Sequence, residues 1–96
     1  LYQIISQASG SCWAMLNHNP VPGVVETAAA NRDYTPGFAA GMMLKDLRLA
    51  QDAAANANVA SPLGAEAAAL YGVFCNQGHG HKDYSGIYKR LRGEGL

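Results

Sequence analysis

A lysine and an aspartate stand side by side in an apolar stretch of the chain. Residues 37–52 place apolar side chains over a broad helical face and contain no β-branched residue, so the pattern predicts an α-helix. Lys45 and Asp46 fall in the middle of this stretch. Neither has an obvious local partner, because adjacent helical side chains point about 100° apart. Two interpretations follow from the residues alone: both side chains lie in water at the helix edge, or both face a polar cleft that holds a ligand.

The predicted helix is the centre of the fold and runs from about residue 38 to residue 56 or 58. At about 100° per residue, Phe38 and Lys45 point within roughly 20° of each other, two turns apart. Arg48 and Asp52 form an i,i+4 pair that can satisfy both charges, worth about 0.3–0.5 kcal/mol if exposed. The breadth of the apolar stripe predicts a helix that packs on more than one side. The apolar positions are Met42, Leu44, Leu47, Leu49, Ala50 and Ala53.

Five short elements are predicted ahead of the central helix. In chain order they are the end of a helix (1–7), a second helix (11–17), a rigid loop (17–23), a segment that fits either a helix or a strand (24–30) and a turn (31–37). Ser9 or Ser11 can cap the second helix, whose apolar members are Trp13, Ala14 and Leu16. The loop is rigid because proline lacks an N–H and moves its predecessor out of the helical region.

Two further helices are predicted after the central one. Ser61 and Pro62 mark a start, with serine as the cap and proline at the first helical position, and Gly78 marks the end of that helix. Asp83 is predicted to cap a last helix over residues 84–92. The expected buried positions of the last helix are Ile87, Tyr88 and Leu91. Together these elements predict an all-α fold, a compact helical bundle.

Composition and charge exclude several partner classes. The 96 residues form one small domain that is 49% hydrophobic and 15% charged, which is typical of a globular rather than a disordered chain. Seven basic and seven acidic side chains give a formal net charge of zero, whereas nucleic-acid-binding proteins normally carry a basic excess. No apolar run approaches the ~20 residues of a membrane span. We therefore expect no nucleic acid and no membrane as partners, and the abrupt start at Leu1 predicts a fragment of a longer protein.

The cysteines and histidines give only weak signals for a metal. Cys12 and Cys75 are too few for a disulfide scaffold, and their apolar neighbours predict buried free thiols, which suit a reducing compartment. The spacing of Cys75, His79 and His81 could suggest zinc, but no convincing fourth ligand is evident. Residues 78–80 lack the preceding strand and the glycine spacing of a phosphate-binding loop. We therefore expect no metal site.

Three motifs make the sequence recognisable. In chain order they are Ser9-Gly10-x-Cys12-Trp13, Asn19-Pro20-Val21-Pro22-Gly23 and Met42-x-Leu44-Lys45-Asp46-Leu47-x-Leu49-Ala50. With them the chain resembles the C-terminal helical domain of the 3-hydroxyisobutyrate dehydrogenases, which belong to the β-hydroxyacid dehydrogenase family. The resemblance runs along nearly the whole chain. It implies a helical bundle resembling the C-terminal domain of 6-phosphogluconate dehydrogenase, and NAD as the cofactor.

The resemblance also implies roles for five side chains. In similar enzymes the residue matching Lys45 contacts the cofactor, and the residue matching Phe38 packs near the nicotinamide. The residues matching Trp13 and Asp46 lie at the substrate, and the position of His18, often a tyrosine there, belongs to the same pocket. A lysine can make a charge-assisted hydrogen bond to the phosphates of a dinucleotide, and a flat apolar ring can shield hydride transfer from water. Histidine keeps a ring and a hydrogen-bonding tip but can titrate near neutral pH.

For the whole protein, the resemblance implies an active site between an N-terminal Rossmann domain and this helical domain. The general acid/base lysine lies upstream of this chain, which on its own is expected to be inactive. The implied reaction is the NAD-dependent oxidation of a small hydroxyacid, 3-hydroxyisobutyrate, to methylmalonate semialdehyde in valine breakdown. The implied setting is a homo-oligomer in the bacterial cytoplasm or the mitochondrial matrix. Two alternatives stay open: a sister enzyme such as a tartronate or succinic semialdehyde reductase, and a non-catalytic helical dimerisation module.

Overall fold

Helices and turns form the whole fold in the computed structural model, which describes residues 1–96. The five α-helices are α1 (Tyr2–Ile5), α2 (Trp13–Asn17), α3 (Ala40–Asn56), α4 (Pro62–Phe74) and α5 (Ile87–Leu91). Short 3-10 turns cover Ala29–Arg32 and Tyr84–Gly86. The chain contains no sheet, only a single antiparallel bridge between Ala39 and Asp83. The all-α prediction is therefore confirmed, and the ambiguous segment before residue 30 leads into a 3-10 turn.

Helices α3 and α4 pack against each other and form the largest contact of the fold. Helix α4 begins at Pro62 directly after Ser61, as predicted. The Ser61 side chain makes no capping bond; its hydroxyl lies 3.4 Å from the Gln51 amide nitrogen on α3 instead. The α-helix ends at Phe74, earlier than predicted, and continues as a wide turn in which Gly78 has φ +94°. A residue other than glycine is strained at that angle, which explains why the helical path stops there.

Helix α3 packs against more than one element, as its broad apolar stripe predicted. Besides α4, it contacts the turns at 75–79 and 84–86, and Ala40 and Leu44 are buried. Part of the stripe nevertheless stays uncovered, since Met42 and Leu49 are 45% and 60% exposed.

Three predictions about the shorter elements are wrong: the burial of the last helix, the serine cap of α2 and the burial of Cys12. Leu91 is 65% exposed, and Ile87 and Tyr88 are only half-buried. Trp13 is 66% exposed. Cys12 occupies the position before α2 and makes no side-chain capping bond, so neither serine caps that helix. The Cys12 thiol is exposed and the Cys75 thiol half-buried; both are free. Helices of five residues present little surface to bury, and no residue of α2 is buried.

The small core lies where the chain before α3 meets the chain before α5. Its two largest fully buried side chains are Tyr34 and Phe74. Gly86 fits between them, because a Cβ there would lie 3.4 Å from one ring and 3.5 Å from the other. The Tyr34 hydroxyl donates to the Pro20 carbonyl at 2.7 Å, which ties the proline loop to this core.

A buried carboxylate joins the two segments. Asp83 is 2% exposed, and its Oδ1 accepts from the backbone N–H groups of Gly37 at 2.9 Å and Phe38 at 3.0 Å. Its Oδ2 accepts from the Ser85 N–H at 3.1 Å and from the Ser85 hydroxyl. The predicted cap is therefore confirmed, and the same side chain also fixes the entry to α3. A backbone hydrogen bond joins the same two segments, because Tyr84 N–H donates to the Phe38 carbonyl at 2.8 Å.

The hydrogen bonds of Asp83 decide its charge. Burial alone would raise the pKa of this carboxyl, but the donors from Phe38, Ser85 and Gly37 outweigh burial and lower it. The charged form is therefore favoured in the folded state. Since the folded-state pKa lies below the unfolded value of about 3.9, this stabilisation is fully present above that pH. It is lost as the pH falls through the folded-state pKa.

Replacing Asp83 by asparagine tests how much its hydrogen bonds to the two segments stabilise the fold. Asparagine cannot accept from both donors of Ser85 with its amide nitrogen, so we expect Asp83→Asn to lower the free energy of unfolding by about 2–4 kcal/mol at pH 7. The loss should begin to narrow below about pH 3.9, where the unfolded carboxyl takes up a proton, and should disappear as the pH falls through the lowered pKa of the folded state. Urea unfolding followed by circular dichroism measures both. Asp52→Asn, on the exposed side of α3, is the matched control, and equal stabilities of the two variants would contradict the assignment.

Candidate functional site

Four rings from distant parts of the chain form a continuous row. Trp13 and His18 lie with ring centroids 4.5 Å apart, His18 and Tyr84 5.5 Å apart, and Tyr84 and Phe38 5.7 Å apart. Each pair meets edge to face, the favourable geometry for aromatic quadrupoles. We call these four residues the aromatic row. It brings together three of the five side chains that the sequence pointed to, and adds Tyr84.

His18 is placed by the end of α2 and by the loop after it. Its backbone N–H donates to the Ala14 carbonyl at 2.7 Å, which closes the last turn of the helix. The buried Asn19 then accepts from Val21 N–H at 3.1 Å through its side-chain oxygen, a turn that asparagine favours. The loop therefore has the ordered geometry that its prolines predicted, and it holds the imidazole between Trp13 and Tyr84.

Tyr84 is the member of the row that sequence reasoning missed. Its hydroxyl lies 2.8 Å from His18 Nδ1, and its carbonyl accepts from the Tyr71 hydroxyl at 2.9 Å. Burial raises the pKa of Tyr84, and the nearby Asp83 carboxylate raises it further, so the phenol keeps its proton at neutral pH. Burial also raises the pKa of Tyr71, to about 12. The one signal in the sequence was an aromatic residue directly after a helix cap, which says nothing about a distant histidine.

A cavity of about 340 Å³ opens beside the row. His18 and three tyrosines, Tyr71, Tyr84 and Tyr88, line it together with apolar side chains such as Met15. Its size falls at the low end of small-molecule pockets. An apolar wall with a few polar tips suits a small ligand that carries one or two polar groups.

Phe38 lies outside the helix that was predicted to contain it. Ala39, the residue before α3, has an extended backbone with ψ 144°, and the helix begins at Ala40. The reason is that Phe38 donates its N–H to Asp83 and accepts from Tyr84, bonds that a helical conformation would not offer. The angular relation predicted between Phe38 and Lys45 therefore does not apply. The half-buried Phe38 ring packs on Tyr84 instead.

Lys45 and Asp46 lie exposed in the second turn of α3. Neither side chain makes a hydrogen bond or an ion pair within the chain, which contains only the pairs Lys82–Asp33 and Arg92–Glu94. The predicted pairing of Arg48 with Asp52 is thus absent as well. No contact joins Lys45 or Asp46 to the aromatic row. Both charged tips are consequently free to meet a group from outside this chain.

Two other features of the structure bear on ligands. The structure assembles no group of three His, Cys, Asp or Glu side chains that could hold a metal ion. The His79 ring lies 5.1 Å from that of Phe74, against the core. None of the helices combines the length and the apolar character that crossing a bilayer requires.

Comparison with known proteins places these features in a family. The family model described as "NAD-binding of NADP-dependent 3-hydroxyisobutyrate dehydrogenase" matches residues 1–91. A mitochondrial 3-hydroxyisobutyrate dehydrogenase of Drosophila melanogaster is 44% identical over 92 residues, 96% of this chain and 28% of that protein. An NAD-dependent L-serine dehydrogenase of Pseudomonas aeruginosa is 44% identical over 89 residues, 93% of this chain and 30% of that protein.

The fold has a close counterpart among solved structures. The Mycobacterium tuberculosis 3-hydroxyisobutyrate dehydrogenase, in a structure with L-serine, superposes with a TM-score of 0.90 at 43% identity. The superposition covers 95% of this chain and 31% of that one. The chain thus spans about 30% of the length of the relatives that it matches. With its helical fold and a family match over 91 of its 96 residues, the chain belongs to the NAD-binding family of the 3-hydroxyisobutyrate dehydrogenases.

Proposed function

We propose that the chain is the C-terminal helical domain of an NAD-dependent 3-hydroxyisobutyrate dehydrogenase and forms one wall of its active-site cleft. An N-terminal Rossmann domain of the same protein would form the other wall. The whole enzyme would oxidise 3-hydroxyisobutyrate to methylmalonate semialdehyde in valine breakdown. The lengths of the relatives support a second domain in the same protein. Relatives named as 3-hydroxyisobutyrate dehydrogenases are about three times as long as this chain.

One structural observation carries the proposal. The aromatic row joins two residues expected at the substrate, Trp13 and His18, to the residue expected at the nicotinamide, Phe38. These residues are 25 and 20 positions from Phe38 in the sequence, so only the fold brings them together. A wall built in this way has a substrate end and a cofactor end on one continuous surface.

The chain's own residues fit a dinucleotide. Lys45 offers an exposed ammonium group with no partner within the chain, and a phosphate or ribose could accept a charge-assisted hydrogen bond from it. The Phe38 ring, held by two backbone hydrogen bonds, can cover a nicotinamide face and exclude water. Bound NAD would supply the acceptor for the hydride that leaves the carbinol carbon. Asp46, next to Lys45, would face the substrate end and the lysine contributed by the rest of the enzyme.

The substrate class follows from the names of the relatives. 3-Hydroxyisobutyrate and L-serine share a carboxylate and a primary hydroxyl on the carbon two bonds from it. We therefore propose a short 3-hydroxy acid as the substrate, with Trp13, His18 and Asp46 around it. L-serine is the second candidate, favoured by the 44% identity to an L-serine dehydrogenase and by the solved structure with L-serine.

We also propose that the enzyme is a homo-oligomer and that the helical domain contributes to its contacts. Apolar side chains on both long helices are exposed in the single chain, including Met42, Leu49, Leu63 and Val73, and such surfaces are covered in assemblies. The enzyme would work in the cytoplasm of a bacterium or in the mitochondrial matrix, the setting that mitochondrial and bacterial relatives suggest.

Truncating Lys45 tests the cofactor role. In the full-length enzyme we expect Lys45→Ala to weaken NADH binding about tenfold, because a hydrogen bond to a charged group contributes roughly 1.5–3 kcal/mol. Fluorescence titration gives the dissociation constant, and light scattering gives the oligomer size, which should not change. Arg48→Ala, which removes a neighbouring exposed cation of α3, is the matched control. Unchanged affinity together with a smaller oligomer would favour a dimerisation module instead.

Measuring the activity of the chain by itself tests the proposal that it forms only one wall of the active-site cleft. We expect the purified 96-residue chain to oxidise no hydroxyacid with NAD, because it contains no G-x-G-x-x-G sequence for the pyrophosphate. NADH formation measures this, with the full-length enzyme as the positive control. Turnover by the chain alone would refute the assignment of one wall to it.

Substrate preference separates the two candidate acids. L-serine carries a charged ammonium group where 3-hydroxyisobutyrate carries a methyl group, and an apolar pocket disfavours the charge. Since the methyl contact alone is worth roughly 1–3 kcal/mol, we expect kcat/KM for 3-hydroxyisobutyrate to exceed that for L-serine by about tenfold or more. Steady-state kinetics with both acids, and with tartronate and succinic semialdehydes in the reverse direction, give the ratios. A higher value for L-serine would select the second candidate, and preference for either semialdehyde would select a sister enzyme.

A further inference from the structure

We propose that Tyr84 sets the tautomer of His18, so that His18 Nε2 carries the proton and donates it in a hydrogen bond to the carboxylate of the substrate. This inference rests on the proposed function and deepens it. Tyr84 is a positioning residue here, because it would act on the substrate only through His18. Sequence reasoning assigned Tyr84 no role beyond the start of the last helix.

The geometry isolates the two side chains as a pair. The Tyr84 hydroxyl makes one hydrogen bond within the chain, to His18 Nδ1 at 2.8 Å. His18 Nε2 makes none within the chain, although the ring is fixed on both sides by edge-to-face contacts with Trp13 and Tyr84. One nitrogen is thus engaged by the protein, and the other is left for a ligand.

The surroundings decide which way the hydrogen bond runs. If Nδ1 carried the proton, the phenol would accept, and its own hydrogen would have no acceptor in the chain, because His18 is the only hydrogen-bond partner of this hydroxyl. A half-buried hydroxyl that lacks an acceptor costs free energy. If the phenol donates to Nδ1, its hydrogen is satisfied, and the neutral imidazole must hold its proton on Nε2.

The titratable groups near Tyr84 support the same direction. Burial raises the pKa of the phenol, with smaller contributions from Asp83 and Cys12, so the hydroxyl remains a donor. Asp83 is occupied by four donors of its own and makes no bond to the phenol. Cys12, an exposed thiol, makes no hydrogen bond to it either. His18 is therefore the acceptor that the phenol has.

A fixed Nε2–H gives the site a preference for carboxylates. Hydrogen bonds to a carboxylate are shorter and stronger than bonds between neutral groups. In the other tautomer Nε2 would be an acceptor and would repel the carboxylate. The preference should therefore disappear for a substrate that has the same carbon skeleton but no charge.

Removing the phenol hydroxyl in the full-length enzyme tests the inference. We expect Tyr84→Phe to raise KM for 3-hydroxyisobutyrate about three- to tenfold, the effect of losing one net hydrogen bond, with kcat changed less than about twofold. KM for methyl 3-hydroxyisobutyrate, which lacks the charge, should stay the same. Tyr2→Phe removes a phenol hydroxyl in α1, outside this cavity, and should leave both values unchanged. An equal rise for acid and ester would mean a merely structural role and would overturn the proposal.

Two further measurements test the proposal even if the Tyr84→Phe variant fails to fold or loses stability. In a His18→Phe background, Tyr84→Phe should add no further rise in KM, since it acts only through the imidazole. Long-range proton–nitrogen correlation spectra of the wild-type protein should show His18 protonated at Nε2 and bare at Nδ1. Protonation at Nδ1 would overturn the proposal even with the wild-type enzyme fully active. Absence of any 3-hydroxy acid turnover by the wild-type enzyme would instead refute the proposed function, while the spectrum would still decide the tautomer.

Discussion

The buried carboxylate of Asp83 is the interaction on which the arrangement of this chain depends. It accepts four hydrogen bonds, two from the segment that enters α3 and two from Ser85 in the turn that enters α5. A buried charge is tolerated only where such donors replace water. Phe38 lies 45 residues before Asp83 in the chain, so the carboxylate links two segments that are distant in sequence. One end of the aromatic row, Phe38, is bonded to it directly.

Unlike Asp83, whose charge is satisfied by hydrogen bonds, α3 exposes charged and apolar side chains that lack partners within the chain. Parts of α3 pack on α4 and on the turns at 75–79 and 84–86, and another part exposes apolar side chains together with the unpaired Lys45 and Asp46. In a complete globular protein, such a face is rarely left in water. The chain spans about 30% of the length of its relatives. An apolar helix face with two uncompensated charges is what we expect where a second domain and a polar ligand complete the structure.

The ends of the helices could be predicted from neighbouring residues, whereas the arrangement of the candidate site depends on contacts between residues that are distant in the sequence. Pro62 and the Asp83 cap were found from the sequence because both act within a few residues of their own position. Phe38 was placed on the helix because its apolar neighbours continue the pattern, whereas its backbone is held by residues 45 positions away. The exposure of Trp13 could not be predicted for the same reason, since burial depends on which helix covers a ring, and periodicity does not contain that information.

The hydrogen bonds of Asp83 also connect the residue proposed to lie at the cofactor, Phe38, with the residue proposed to bind the substrate, His18. Phe38 is held by Asp83 on one side and by Tyr84 N–H on the other, and Tyr84 in turn meets His18. The separation between the Phe38 ring and the His18 imidazole is thus set by a backbone hydrogen bond from Tyr84 to Phe38 and by a side-chain hydrogen bond between Tyr84 and His18. Backbone bonds are stiffer than contacts between exposed side chains, and reacting groups need placement within about 0.5 Å. Under the proposed function, a carboxylate that contacts neither NAD nor the substrate would therefore control how far apart the two are held.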